Sequence, residues 1–250
     1  MVTIGDIYGY IDAVAPFDLQ LGFDNAGLLV GDKNREVSSV LVALDITAGV
    51  VREAASLGCQ LVVSHHPVIF DPIKRLYADS PVYALASGGI AAICAHTNLD
   101  IAAGGVNDCL AARIGLVGAA KVPGCDIGVM GRLEKACTPP KFACMVRDRL
   151  GCRAVQFVEG SSMIERVAVI GGAGGEYIDE MFALGADAVV TGEVKHHMLM
   201  DIHDKGRTVI IAGHFSSEAV VLEPLAERLR ERFPSVKFTV SGQCDPVSTV

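Results

Sequence analysis

Six of the seven histidines of this 250-residue chain stand in short stretches whose neighbours could do chemistry. Leu61-Val62-Val63-Ser64-His65-His66-Pro67 sets two adjacent imidazoles at the end of an apolar run. His96 is followed four residues later by Asp100, and His214 four residues later by Glu218. Thr191-Gly192-Glu193 runs into Lys195-His196-His197. Imidazole with carboxylate is a donor set for Zn, Mn or Fe. A single histidine in such a place is more often a hydrogen-bonded core or loop residue. Several of them, each at the end of an apolar run, call for another explanation. The eight cysteines (59, 94, 109, 125, 137, 144, 152, 244) form no CxxC pair, so they read as small buried hydrophobes and not as a thiolate site.

The elements that would position these groups follow a βαβ rhythm. Residues 3–15 read as an amphipathic helix with Thr3 and Asp6 in a capping-box arrangement and Pro16 as its stop. Asp24, Asn25 and Gly27 read as a turn before a short strand, Leu28 to Val30. Strands are expected at 37–45, 61–66 and 90–100, the last ending in His96 and Asp100. Helices are expected at 49–58 and from Pro81, a favourable first helical position. Residues 101–118 read as helical, and the glycine-rich 119–132 as a linker or turn region. A short strand and a helix after Pro139-Pro140 follow. A helix over 216–233 should kink or restart at Pro224, and 236–240 reads as a closing strand.

The second half repeats the first. Displaced by 127 residues, 37–66 lies over 164–193, so that Leu57-Gly58 meets Leu184-Gly185 and Val62-Val63-Ser64 meets Val189-Val190-Thr191. Displaced by 118, 88–100 lies over 206–218, so that His96 meets His214 and Asp100 meets Glu218. A period this long is a domain duplication. The expected fold class is therefore α/β in two duplicated lobes, 1–122 (repeat 37–100) and 123–250 (repeat 164–218). The short linker expected at about 119–132 leaves no room for a third, inserted domain.

In open α/β sheets the C-terminal strand ends share one edge, so polar groups distant in sequence can meet there. Consecutive strand positions point to opposite sides, which would give His65 and His66 to two neighbouring ions, with Asp100 and Glu218 between them. On a first helical turn His214 and Glu218 face the same way. Two-metal sites activate a water near neutral pH. His96 and Glu193 are the candidate proton-transfer groups, His96 being either that or a group that orients a ligand. Lys195, His196 and His197 are candidates to line a pocket, at least one of the two histidines being a plain helix-face residue. Gly171-Gly172-Ala173-Gly174-Gly175, between a strand and a helix, is either a phosphate cradle or a tight turn; it lacks the lysine of a P-loop and the GxGxxG spacing.

The net charge of −8 argues against a nucleic-acid surface. A bound cation can reverse the local field, so an anionic small molecule remains compatible with it. No apolar run approaches the roughly 18 residues of a membrane span, and the N-terminus has no basic segment or cleavage site of a secretory leader. The expectation is a cytoplasmic protein without membrane or nucleic-acid partners.

His65-His66-Pro67-Val68-Ile69-Phe70, Ala95-His96-Thr97-Asn98-Leu99-Asp100, the segment 189–197 and Gly213-His214-Phe215-Ser216-Ser217-Glu218 lie in order with 23–31 and Val42-Ala43-Leu44-Asp45-Ile46-Thr47. Together they resemble the NIF-three-like family, also named GTP cyclohydrolase I type 2, over nearly the whole chain. The resemblance implies intertwined α/β lobes, two divalent ions per subunit, a toroidal homohexamer, and His65, His66, Asp100, His214 and Glu218 as ligands, with Asp100 rather than His96 in that set. The chain departs from the family's usual residues at Phe23, Phe215, Ser217 and Pro224 without losing a ligand. The implied activity is hydrolytic opening of the guanine ring of GTP, giving formate and dihydroneopterin triphosphate. Fold alone does not fix a reaction. Two other readings stand beside it: another metal-dependent nucleotide or phosphoester hydrolase, and a metal-stabilised ring that binds partners without catalysis.

Overall fold

The computed structural model describes residues 1–248, so the last two residues of the expected second lobe lie outside it. The chain forms two compact units. One joins Met1–Ala103 to Leu222–Gln243; the other runs over Gly104–Val221 and takes in the chain from Cys244 on.

In the first unit α1 (Ile4–Val14) opens with the expected reciprocal cap between Thr3 and Asp6 and buries Ile4, Ile7 and Ile11. Then come β1 (Gly27–Val30), β2 (Ser39–Ala43), α2 (Ala48–Ser56), β3 (Leu61–Ser64), α3 (Pro81–Gly88), β4 (Ala91–Cys94) and the short α4 (Thr97–Ile101). The expected strand over 90–100 is corrected here. β4 stops at Cys94, and the carbonyl of His96 accepts from the amides of Leu99 and Asp100, so the chain turns into a helix just where the polar residues begin.

The second unit continues with α5 (Val106–Arg113), β5 (Val117–Lys121), β6 (Val129–Cys137), α6 (Pro139–Leu150), β7 (Gln156–Val158), β8 (Ile164–Ile170), α7 (Ile178–Ala183), β9 (Ala188–Thr191), α8 (His196–Asp204), β10 (Thr208–Ile211) and α9 (His214–Glu218). The stretch 119–132 is not a linker: β5 pairs antiparallel with β6, which pairs with β8. Its glycines suggest a turn, but Gly131 lies within β6, where a Cβ would come 2.8 Å from Cβ of Leu116. The chain then returns to the first unit with α10 (Leu222–Arg232), which begins anew before Pro224, and β11 (Lys237–Val240).

Each unit holds a mixed sheet. The first has strand order β1-β4-β3-β2-β11 and is parallel except for β1; the second has order β5-β6-β8-β9-β10-β7, with β8, β9 and β10 parallel. The fold class is thus α/β with two mixed sheets, and each unit carries strand–helix–strand–helix–strand followed by a five-residue helix. The strand sequences explain the layering. In β8, Val167 and Val169 face a cluster with Phe142 and Val146 of α6, while Ala168 and Ile170 face one with Met181 and Ile202. Both faces are covered, so the strand is apolar throughout. In the first unit Leu41, Ala43, Val62 and Ala92 pack on Val50, Val51 and Ala54 of α2 and on Leu85 of α3.

Candidate functional site

Register fixes the first group of polar residues. Ala43 pairs with Ser64 and Ser64 with Cys94, so the residues just past β2, β3 and β4 leave the sheet at one edge. These are Asp45, His65-His66 and His96. One ligand atom from each of His65, His66 and His96 lies within 4.8 Å of the others. The ring centroids are 5.0, 5.2 and 5.5 Å apart.

In each of these rings Nδ1 is held by an acceptor. His65 Nδ1–H donates to the carbonyl of Ala95 at 3.0 Å. His66 Nδ1–H donates to Asp45 Oδ1 at 2.7 Å, and His96 Nδ1–H to Asp24 Oδ1 at 2.7 Å. A neutral imidazole that donates from Nδ1 keeps its lone pair on Nε2. This is how metal-binding histidines are oriented, with a carboxylate or carbonyl on the far nitrogen. His65 Nε2 stands 3.7 Å from Asp100 Oδ1. The argument from strand alternation does not apply to His65 and His66, because β3 ends at Ser64 and both lie beyond it.

α4 aims Asp100, and it is fastened at its start. Thr97 donates its amide (3.0 Å) and hydroxyl to Asp24 Oδ2, and its hydroxyl accepts the amide of Leu21 at 2.9 Å. The fully buried Asn98 donates to the carbonyl of Ala15 at 2.6 Å. Burial disfavours the Asp24 charge, but the hydrogen bonds from His96 and Thr97 outweigh it and hold this carboxyl well below the ordinary range. Cys94, beside this group, has its thiol pushed well up, chiefly by burial, and donates to the His65 carbonyl at 3.0 Å. It is a neutral hydrophobe here and not a ligand. Phe70 lies edge-on to His96, with centroids 6.4 Å apart, and Phe23 lies 6.3 Å from Phe70.

The second unit builds a related group. Ile170, Thr191 and Ile211 share a register, and past them come Gly171-Gly172, Gly192-Glu193 and Gly213-His214. His214 Nδ1 is 3.1 Å from Glu193 Oε1, and its Nε2 is 3.0 Å from Glu218 Oε2. α9 is tied down by the buried Ser217, whose hydroxyl donates to the His214 carbonyl and accepts the amide of Gly172.

The glycine-rich turn serves this packing. The amides of Gly171, Gly172 and Gly174 donate to Asn107, Ser217 and Thr191, so none of the three faces a ligand phosphate. Gly172 has φ +60°, and a Cβ there would lie 2.0 Å from Glu218 Oε1. The tight turn, not the phosphate cradle, accounts for these residues. His196 and His197 are exposed at the start of α8, and Lys195 pairs with Glu176 at 3.6 Å; neither histidine belongs to a group of clustered ligand atoms among the described residues.

Imidazole nitrogen and carboxylate oxygen, with Nδ1 already committed, suit a divalent cation of borderline softness. By sequence, Asp24 is a turn residue and Asp45 only part of a strand. The signal for Asp45 was present: it follows the buried run of β2 as the histidines follow β3.

Comparison with known proteins agrees with this architecture. The family model described as Duf34/NIF3 (NGG1p interacting factor 3) matches residues 2–246. A Clostridium perfringens protein named GTP cyclohydrolase 1 type 2 homolog is 32% identical, with 98% of each chain covered. A protein of the same name from Lactococcus lactis is 31% identical, with 97% of each covered. The crystal structure of a Staphylococcus aureus hypothetical protein superposes with a TM-score of 0.95 at 30% identity, over 100% of this chain and 99% of that one.

Proposed function

The chain belongs to the Duf34/NIF3 family, and from that premise we propose that it is a metal-dependent hydrolase acting on a nucleotide. Its ligands are His65, His66 and Asp100 in the first unit and His214 and Glu218 in the second, for two divalent ions per subunit. One observation carries this reading: the Nδ1 of each of the four histidines 65, 66, 96 and 214 is committed to a carboxylate or carbonyl. Bound divalent ions would supply an acidified water and stabilise developing negative charge.

The chain's own residues do the rest. Asp45 and Glu193 orient His66 and His214. Asp24 orients His96 and supports it as the group that takes or gives a proton. Relatives named for GTP cyclohydrolase support GTP as substrate, with formate and dihydroneopterin triphosphate as products. The family resemblance supports a homohexamer.

Metal analysis of the purified protein, followed by incubation of the loaded protein with GTP, tests both levels. Formate and a fluorescent pterin are expected. Full loading without either product would refute the cyclohydrolase assignment. His65→Ala and Glu218→Ala should each lower metal content; full metal content in both would refute the ligand assignment.

A further inference from the structure

The segment that follows β11 crosses the end of β2 and is fastened there. The amide of Ser241 donates to the carbonyl of Val42 at 2.8 Å, and the amide of Gly242 to Glu53 Oε1 at 2.9 Å. The amide of Gln243 donates to the Ser241 hydroxyl at 3.2 Å. This places the Gln243 side chain against Asp45 in a reciprocal pair. Gln243 Nε2 donates to Asp45 Oδ2 at 3.1 Å, and Gln243 Oε1 accepts the amide of Asp45 at 3.1 Å. The other carboxylate oxygen of Asp45, Oδ1, takes the Nδ1 proton of His66.

Asp45 is thus gripped at both oxygens. Its carboxylate cannot turn without breaking one hydrogen bond to Gln243 or one to His66. The Asp45 side chain is 40% exposed, so packing alone does not hold it. A carboxylate this exposed samples more rotamers as each hydrogen bond to it is removed. We infer that Gln243 is a positioning residue: acting through Asp45, it fixes the ring orientation and the Nδ1–H tautomer of His66, and so the direction in which Nε2 is presented. Nothing in the sequence near residue 243 signals this, since 198 positions separate the two partners.

For metal affinity the inference rests on the proposed site; for the tautomer it does not. Gln243→Leu removes both hydrogen bonds at similar size. Gln243→Glu keeps the acceptor but sets an oxygen against Asp45 Oδ2. In the metal-free protein, nitrogen NMR of labelled histidine should find His66 protonated at Nδ1 in the native chain and a mixture of tautomers in both variants. In competition with a chromophoric chelator for Zn²⁺, each variant should bind about 10-fold more weakly, the lower end of what an outer partner of a metal ligand contributes. Asp45→Asn should lose at least as much, and Gln243→Leu added to Asp45→Asn should cost nothing further, because both act on one chain of contacts.

An unchanged His66 tautomer in both Gln243 variants would overturn the inference. Losses that add in the double variant would also overturn it, since Gln243 would then act other than through Asp45. A tautomer change in both variants, with a native protein that binds no Zn²⁺, would uphold the inference and refute the metal assignment instead.

Discussion

Gly172→Ala separates the packing of the glycine turn from its backbone cost. A methyl group there would lie 2.0 Å from Glu218 Oε1, 3.0 Å from its Cδ and 3.3 Å from His214 Nε2. Carbon and oxygen in ordinary contact stand about 3.5 Å apart, so Oε1 must retreat by more than about 1 Å. Glu218 has little room for this. Its side chain is 6% exposed, and its Oε2 is already paired with His214 Nε2 at 3.0 Å. Metal–ligand distances hold to about 0.2 Å. A retreat of that size removes the oxygen from any coordination shell built at its present position, and about a 100-fold loss of affinity is expected. Alanine at φ +60° also costs about 1–2 kcal/mol of stability.

Gly118 is the control, with φ +61° and no atom within 4 Å of an added Cβ. Urea unfolding of the metal-free proteins should show a similar destabilisation for Gly118→Ala and at least as much for Gly172→Ala. Chelator competition should show weakened binding only in Gly172→Ala. Native affinity in Gly172→Ala would mean that the turn and Glu218 are not coupled as described.

Two further outcomes follow from buried groups. Asp24 has a folded-state pKa below its unfolded value of about 3.9, so its stabilisation is complete above that value and is lost as pH falls through the folded one. Asp24→Asn should therefore cost about 2 kcal/mol at pH 7, with a difference from the native protein that shrinks below about pH 4; a constant difference down to pH 2 would contradict the assignment. Phe142, fully buried in the second unit among Val146, Val167 and Val169, should cost about 3–5 kcal/mol as Phe142→Ala in denaturant titration.

Much of the architecture was legible because its signals are local. The Thr3–Asp6 cap, Pro81 at the start of α3, the strand before His65 and the restart of the helix near Pro224 depend on neighbours a few residues away, and all appear where the sequence placed them. The failures came where distant contacts override local preference. Glycines at 118, 124, 128 and 131 suggest a linker, but β6 can pair with β5 and β8 because glycine at 131 lets Leu116 approach. The apolar run from Ile90 to Ala95 suggests a strand that continues to Asp100, but Thr97 and Asn98 find partners at Asp24 and Ala15, and the chain turns into α4.

For the candidate ligands the division is similar. The sequence by itself determined which residues carry donor chemistry. A histidine at the end of a buried strand and an acid four positions after a histidine are local patterns, and His65, His66, Asp100, His214 and Glu218 were reached from them. Only the tertiary structure decided how those donors are held. The hydrogen bonds from His96 to Asp24, from His66 to Asp45 and from His214 to Glu193 span 72, 21 and 21 positions. The close approach of Gly172 to Glu218 and of Gln243 to Asp45 also joins segments far apart in the chain. No periodicity or spacing encodes such pairs, because they exist only once parallel strands in register bring their ends to one edge.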